Sequence, residues 1–135
     1  MSGEQTFIYF AQMRGSAVIK IGRARNPVAR VASFSTGNPF PLQLLGAIPE
    51  TAFCTETHIH RRFDQCRLSG EWFVLLPDIQ EYLTSQGIPF EWGEEIEDRL
   101  LVDWVRCLPI ERVRRYLANA KAILAELQAD HPLPN

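Results

Sequence analysis

No apolar run in the chain approaches the ~18 residues that a transmembrane helix needs, and residues 1–6 carry no basic region leading into an apolar stretch. Neither a membrane span nor a secretory signal is therefore expected, and the protein is read as cytoplasmic. Cysteine is scarce: Cys54, Cys66 and Cys107 are an odd number at unremarkable spacings. That argues against a secreted disulfide framework and for reduced thiols packed as small core residues. Internal repeats and low-complexity segments are also lacking, which leaves a globular chain of 135 residues, 46% hydrophobic. At this length roughly two thirds of the unfolded surface is buried on folding, enough for a core without disulfides. An excess of positive charge is missing too, since the net charge is -2, but the deficit is uneven. Residues 1–75 hold 8 Lys/Arg against 5 Asp/Glu, and residues 76–135 hold 6 against 11. Nucleic-acid contact needs a local basic surface rather than a basic whole, so the first piece stays eligible for it.

What is present reads as an α+β domain. Thr6 to Ala11 and Ala17 to Gly22 are β-branched and aromatic runs joined by a short polar segment, an antiparallel hairpin. A four-residue loop at 13–16 would set Tyr9 opposite Lys20 on one sheet face. Asn26-Pro27 opens a helix with Val28, Val31 and Ala32 as its apolar stripe, and Thr36-Gly37-Asn38-Pro39 stops it. A third strand is expected over Pro41 to Ile48, a helix over Thr51 to Phe63, a fourth strand over Trp72 to Leu76, a helix over Asp78 to Ser85, and an edge strand over Pro89 to Trp92. Beyond these, helical periodicity returns twice, over Glu95 to Cys107 and over Pro109 to Ala129. The first stripe holds Leu101, Trp104, Val105 and Leu108, the second Val113, Tyr116, Leu117, Ala120, Leu124 and Leu127. The expected organisation is a small antiparallel sheet flanked by helices over residues 1–92 and a helical hairpin extension over 93–135. The stripes of the extension would pack on the first domain or on a second copy, as a homodimer.

The helix from Thr51 carries the strongest chemical signal. Phe53, Glu56, His60 and Phe63 share one face by their spacing, which sets a carboxylate among inward aromatics. Such a carboxylate is costly unless an arginine pairs with it or a cation binds it. Cys54, His58, His60 and Cys66 make a poor zinc set, because on a helix His60 lies about 200° round from His58. Arg23, Arg25 and Arg30 cluster around the first helix, and arginine's planar fork suits phosphate. Lys20 sits inside a strand, where a lysine needs a reason to be.

Taken in order, these residues resemble the GIY-YIG nuclease superfamily, and within it the phage and bacterial branch whose second motif reads KIG. The resemblance is carried by Ile8-Tyr9, Lys20-Ile21-Gly22 with Arg23, Asn26-Pro27-Val28-Ala29-Arg30, Ser35 to Pro39, Glu56 with His60 and Phe63, and Gly70-Glu71-Trp72-Phe73. Phe7 stands where the superfamily name has glycine, and Lys20 where it has the second tyrosine. The resemblance implies a DNA endonuclease that hydrolyses phosphodiester bonds with one divalent metal, Mg²⁺ or Mn²⁺. Glu56 would hold the metal, Arg30 would clamp the scissile phosphate, and Tyr9 would help deprotonate the attacking water, with Lys20 and His60 completing the catalytic set. Lys20, Arg23, Arg25 and Arg30 would contact DNA. A phenol at its reference pKa of ~10 is ionised about one part in a thousand at pH 7, and a neighbouring Lys20 would favour the phenolate. The alternative is a DNA-binding module that uses the same basic face and does not cut.

Overall fold

A computed structural model describes residues 4–36, 41–107 and 110–130. Its elements are β1 (Phe7–Met13), β2 (Val18–Ala24), α1 (Pro27–Ser35), β3 (Leu42–Pro49), α2 (Glu56–Arg62), β4 (Arg67–Ser69), β5 (Trp72–Val74), α3 (Pro77–Ser85), α4 (Glu94–Cys107) and α5 (Ile110–Asp130). The five strands form one antiparallel sheet in the order β3-β1-β2-β5-β4. The α+β reading is therefore correct.

Alternation along β1 and β2 supplies both faces of the sheet. Ile8, Phe10, Ile19 and Ile21 point to one side and meet Ile59 of α2 and Phe63 just after it, Ile79 and Leu83 of α3, and Ile96 of α4. Tyr9 and Ala11 point to the other side and meet Val31 and Phe34 of α1 and Leu42 of β3. Each large side chain taken from water in this way contributes about 1.5–3 kcal/mol. Asn26 caps α1 as expected, its side chain accepting from the Ala29 amide at 3.1 Å. Of the stripe expected there only Val31 is buried; Val28 and Ala32 face solvent and Phe34 takes the inward place.

The hairpin register departs from expectation. Tyr9 pairs with Gly22, and Lys20 pairs with Ala11. The loop is four residues long, but it runs from Arg14 to Ala17, one position later than expected. Gly15 turns it at φ 73°, and Ser16 closes it by donating its amide to the Met13 carbonyl at 3.1 Å. β1 can run on through Gln12 because that buried amide is satisfied: it donates to the Ser16 and Glu91 carbonyls at 2.7 and 2.9 Å and accepts from the Glu91 amide at 2.8 Å. A shift of two residues preserves face parity, so Tyr9 and Lys20 still share a face, diagonally.

Three other expectations change. α2 begins at Glu56, because Thr55 caps it in a box with His58; Thr51 to Cys54 instead close a turn. Phe53 therefore leaves the inward stripe and is 95% exposed. No strand covers Pro89 to Trp92, where the Glu91 backbone bonds the Gln12 side chain in place of a ladder. β4, a three-residue strand after the Asp64–Cys66 turn, was not anticipated.

The extension is helical in both expected places. Ile96 and Leu100 near the start of α4 pack on the sheet core. Leu117, Leu124 and Leu127 of α5 are exposed. Gly37 to Pro39, Leu108 and Pro109 lie outside the described residues, as do the side chains of Leu101, Trp104, Val105, Val113 and Tyr116. Among the described residues no helix is long and apolar enough to cross a membrane.

Candidate functional site

Glycine at position 22 decides where Tyr9 lies. A Cβ there would stand 2.5 Å from Cζ and 2.7 Å from Cε2 of the Tyr9 ring, and closer still to its hydroxyl. The phenol therefore lies directly across β2. Gly22→Ala is expected to destabilise the domain by about 1–3 kcal/mol, as overpacking does, and to displace the ring. Chemical denaturation measures this, and Tyr9→Ala in the same chain should recover part of the loss. Tyr9→Phe should recover little, because the ring carbons clash as well.

Two elements, and the turn that leads into β5, bring polar groups to the face on which the phenol lies. Arg30, on α1, acts on the Tyr9 hydroxyl in favour of its ionised form, and its guanidinium lies 4.8 Å from the Phe34 ring centroid. From β2, the Lys20 ammonium lies 3.6 Å from the centroid of Phe34, 5.3 Å from that of Trp72, and 3.7 Å from a carboxylate oxygen of Glu71. Burial is the chief influence on Tyr9 and raises its pKa, the negative charge of Glu71 adds to this, and Arg30 opposes them without prevailing. The expectation that Lys20 promotes the phenolate is thus corrected. The net shift is upward, and the ammonium is paired with Glu71.

Glu56 opens α2, where the helix dipole favours its charge. Burial nevertheless raises its pKa, reinforced by Glu71 and Glu50 and opposed by His60 and Arg23. Arg23 does not pair with it. That guanidinium donates to Glu50, which also accepts from Thr6 at 2.8 Å and from the Glu56 amide at 3.0 Å. Although burial works against its charge, those hydrogen bonds hold the Glu50 carboxyl below the usual range. The Glu56 carboxylate is left with its nearest ion-pair partner, His60 Nε2, at 3.8 Å. The same His60 nitrogen lies 2.8 Å from the Ile21 carbonyl, to which it donates, and the ring packs 5.2 Å from that of Phe73. His60 therefore ties α2 to the edge of β2 that β5 leaves uncovered.

Of the residues expected at the site, Tyr9, Lys20 and Arg30 share the α1 face of the sheet, whereas Glu56 and His60 stand on α2, which packs on the opposite face; Glu56 is still near enough for its charge to act on Tyr9. Arg23 flanks them in a depression of about 580 Å³ that it shares with Glu50, Thr55 and Glu56. Arg25 lies further out in an exposed pair with Glu4 at 3.4 Å. Sequence reasoning missed Glu50 and Phe34, and it took Glu71 only as part of a motif. Phe34 carried a signal, falling three residues after Val31 and four after Arg30 on the helix.

No group of three His, Cys, Asp or Glu side chains able to hold a metal occurs among the described residues. The donor chemistry still fits a hard divalent cation. Such an ion keeps several waters and accepts a single carboxylate when substrate phosphate supplies another oxygen. Glu56, at 23% side-chain exposure, is a partly buried carboxylate crowded by Glu71 and Glu50, and a cation would relieve that repulsion.

Fold and site together define a small α+β domain whose sheet presents a face of arginine, tyrosine and carboxylate. The T5orf172 domain matches residues 6–86, and the chain belongs to that family, a phage-associated domain. Comparison with curated proteins and with solved structures finds no match.

Proposed function

We propose that the chain is a DNA-acting module and, more specifically, a metal-dependent endonuclease that hydrolyses phosphodiester bonds. The observation that carries this reading is Glu56. It is a partly buried carboxylate whose candidate arginine, Arg23, is committed to Glu50, and its charge acts on Tyr9. A salt-bridge residue would have kept its arginine, and a face that only bound DNA would gain nothing from an acidic group beside the phosphates.

On this reading Arg30 donates to the scissile phosphate, its orientation set by stacking on Phe34. Tyr9 stands beside it to take the proton of the attacking water. Glu56 would hold Mg²⁺ or Mn²⁺, and the ion would supply Lewis-acid stabilisation of the negative charge on the phosphate. His60 fixes the helix on which Glu56 stands. Arg25 extends the phosphate-binding surface, since an exposed pair such as its contact with Glu4 is worth ~1 kcal/mol or less and exchanges readily for phosphate.

Arg30→Ala is expected to weaken DNA binding and to lower the slope of log affinity against log salt by about one unit. The check is a salt titration of binding in the presence of chelator, so that cleavage does not interfere. An unchanged slope would place the DNA surface elsewhere.

The alternative, a module that binds without cutting, is favoured by the upward shift of the Tyr9 pKa, which leaves the phenol protonated at neutral pH. Incubation with plasmid and with branched DNA, with each metal and with chelator, separates the two.

A further inference from the structure

The endonuclease reading leaves one arrangement on the same face without a role. Lys20, only 11% exposed, is boxed by aromatics from two different elements, Phe34 of α1 and Trp72 of β5. Trp72 is its direct cross-strand partner, and the Glu71 backbone continues that pairing by accepting from the Ile21 amide at 2.9 Å. The ammonium is thus held in place by its ring contacts, whatever anion accompanies it. Its counter-ion is the Glu71 carboxylate, which is far more open at 41% exposure and stands off at 3.7 Å. A fixed cation paired with a solvated, loosely seated carboxylate is suited to trading one anion for another.

We propose that Glu71 is a placeholder for DNA phosphate on Lys20: its carboxylate occupies the ammonium in the free protein and yields it to a backbone phosphate oxygen when DNA docks. The proposal rests on the reading of this face as DNA-acting. Two facts about Glu71 support it. Its charge is felt by both Tyr9 and Glu56, so it belongs to the site rather than to the periphery. It also follows Gly70, which turns the chain at φ 54° and delivers the carboxylate to this face at the start of β5.

An exchange of this kind has a thermodynamic signature. A free lysine that meets a phosphate releases a condensed counterion from the DNA. Where a carboxylate is displaced in the process, that carboxylate takes up a salt cation and cancels part of the release. Removing the carboxylate's charge should therefore tighten binding and also make it more salt-dependent.

The experiment is a salt titration of DNA binding in chelator for the wild type, Glu71→Gln, Lys20→Met and the double variant, each checked for folding by its unfolding midpoint. Glu71→Gln is expected to bind several-fold more tightly, with a salt slope steeper by up to about one unit. Lys20→Met should cost more affinity in the Glu71→Gln background than alone, because only there is the ammonium uncontested. An equal cost in both backgrounds would reduce Glu71 to general repulsion and overturn the exchange. Unchanged affinity and slope in Glu71→Gln, with Arg30→Ala still weakening binding, would overturn the exchange and leave the DNA-acting reading standing. Absence of DNA binding by the wild type would overturn both.

Discussion

Glu56→Ala is expected to yield a folded chain that no longer cuts DNA in Mg²⁺ or Mn²⁺. If Glu56 holds the cation, its loss removes the metal's contribution, so cleavage should fall to background, while binding through Arg30 and its neighbours persists. The fold should survive because the core contacts here are those of Ile59 on α2 and of Phe63, which closes it, and because Thr55 rather than Glu56 caps the helix. Stability offers a second readout with a definite sign. The folded-state pKa of Glu56 is raised by burial, with Glu71 and Glu50 reinforcing it, so the neutral carboxyl is favoured in the folded chain. Its contribution is present below the unfolded pKa, ~4.3, and is lost as pH rises through the folded value. At pH 7 Glu56→Gln should therefore unfold at a higher temperature than the wild type, and the advantage should vanish below about pH 4. Unfolding of Glu56→Ala at neutral pH, or full cleavage by it, would remove Glu56 from the site chemistry.

Tyr9→Phe carries the second large effect. Loss of one hydroxyl should slow cleavage by roughly 10² to 10⁴, the range for a positioned acid or base, with DNA affinity little changed. The raised pKa sharpens this test. A base that is mostly protonated at neutral pH gives a rate that climbs with the phenolate fraction, so single-turnover cleavage by the wild type should keep rising through pH 9. In Tyr9→Phe that dependence should flatten. A wild-type rate and pH profile in Tyr9→Phe would reduce the tyrosine to an aromatic strand residue.

How much of this was legible before the structure depends on the range of the interaction concerned. The helix at Asn26-Pro27 announces itself because both capping and the proline's preference act within a few residues. The start of α2 was hidden, since Thr51 to Cys54 look helical and the capping box at Thr55 uses a histidine where glutamate or glutamine is usual. The hairpin was legible, but its register was not. Gln12 reads as a turn residue, yet it is buried because the Glu91 backbone, 79 residues later, satisfies its amide. The site divides in the same way. Tyr9, Lys20, Arg30 and Glu56 could be put forward as candidates from their place in an ordered motif set. What each touches could not, because Glu50 takes Arg23, and Glu71, Phe34 and Trp72 take Lys20, through contacts that join separate elements. The chemistry expected of Lys20 changed for that reason.

On the proposed reading, this face acts on DNA by cleaving it with a divalent cation. Its most direct test is incubation of supercoiled plasmid with the wild-type chain over a series of Mg²⁺ and Mn²⁺ concentrations, alongside chelator and the Glu56→Ala variant. The expected result is nicked or linear product that grows with metal and is absent with chelator and with the variant. Plasmid that stays supercoiled at every metal concentration, while the chain binds it, would contradict cleavage and leave a DNA-binding module.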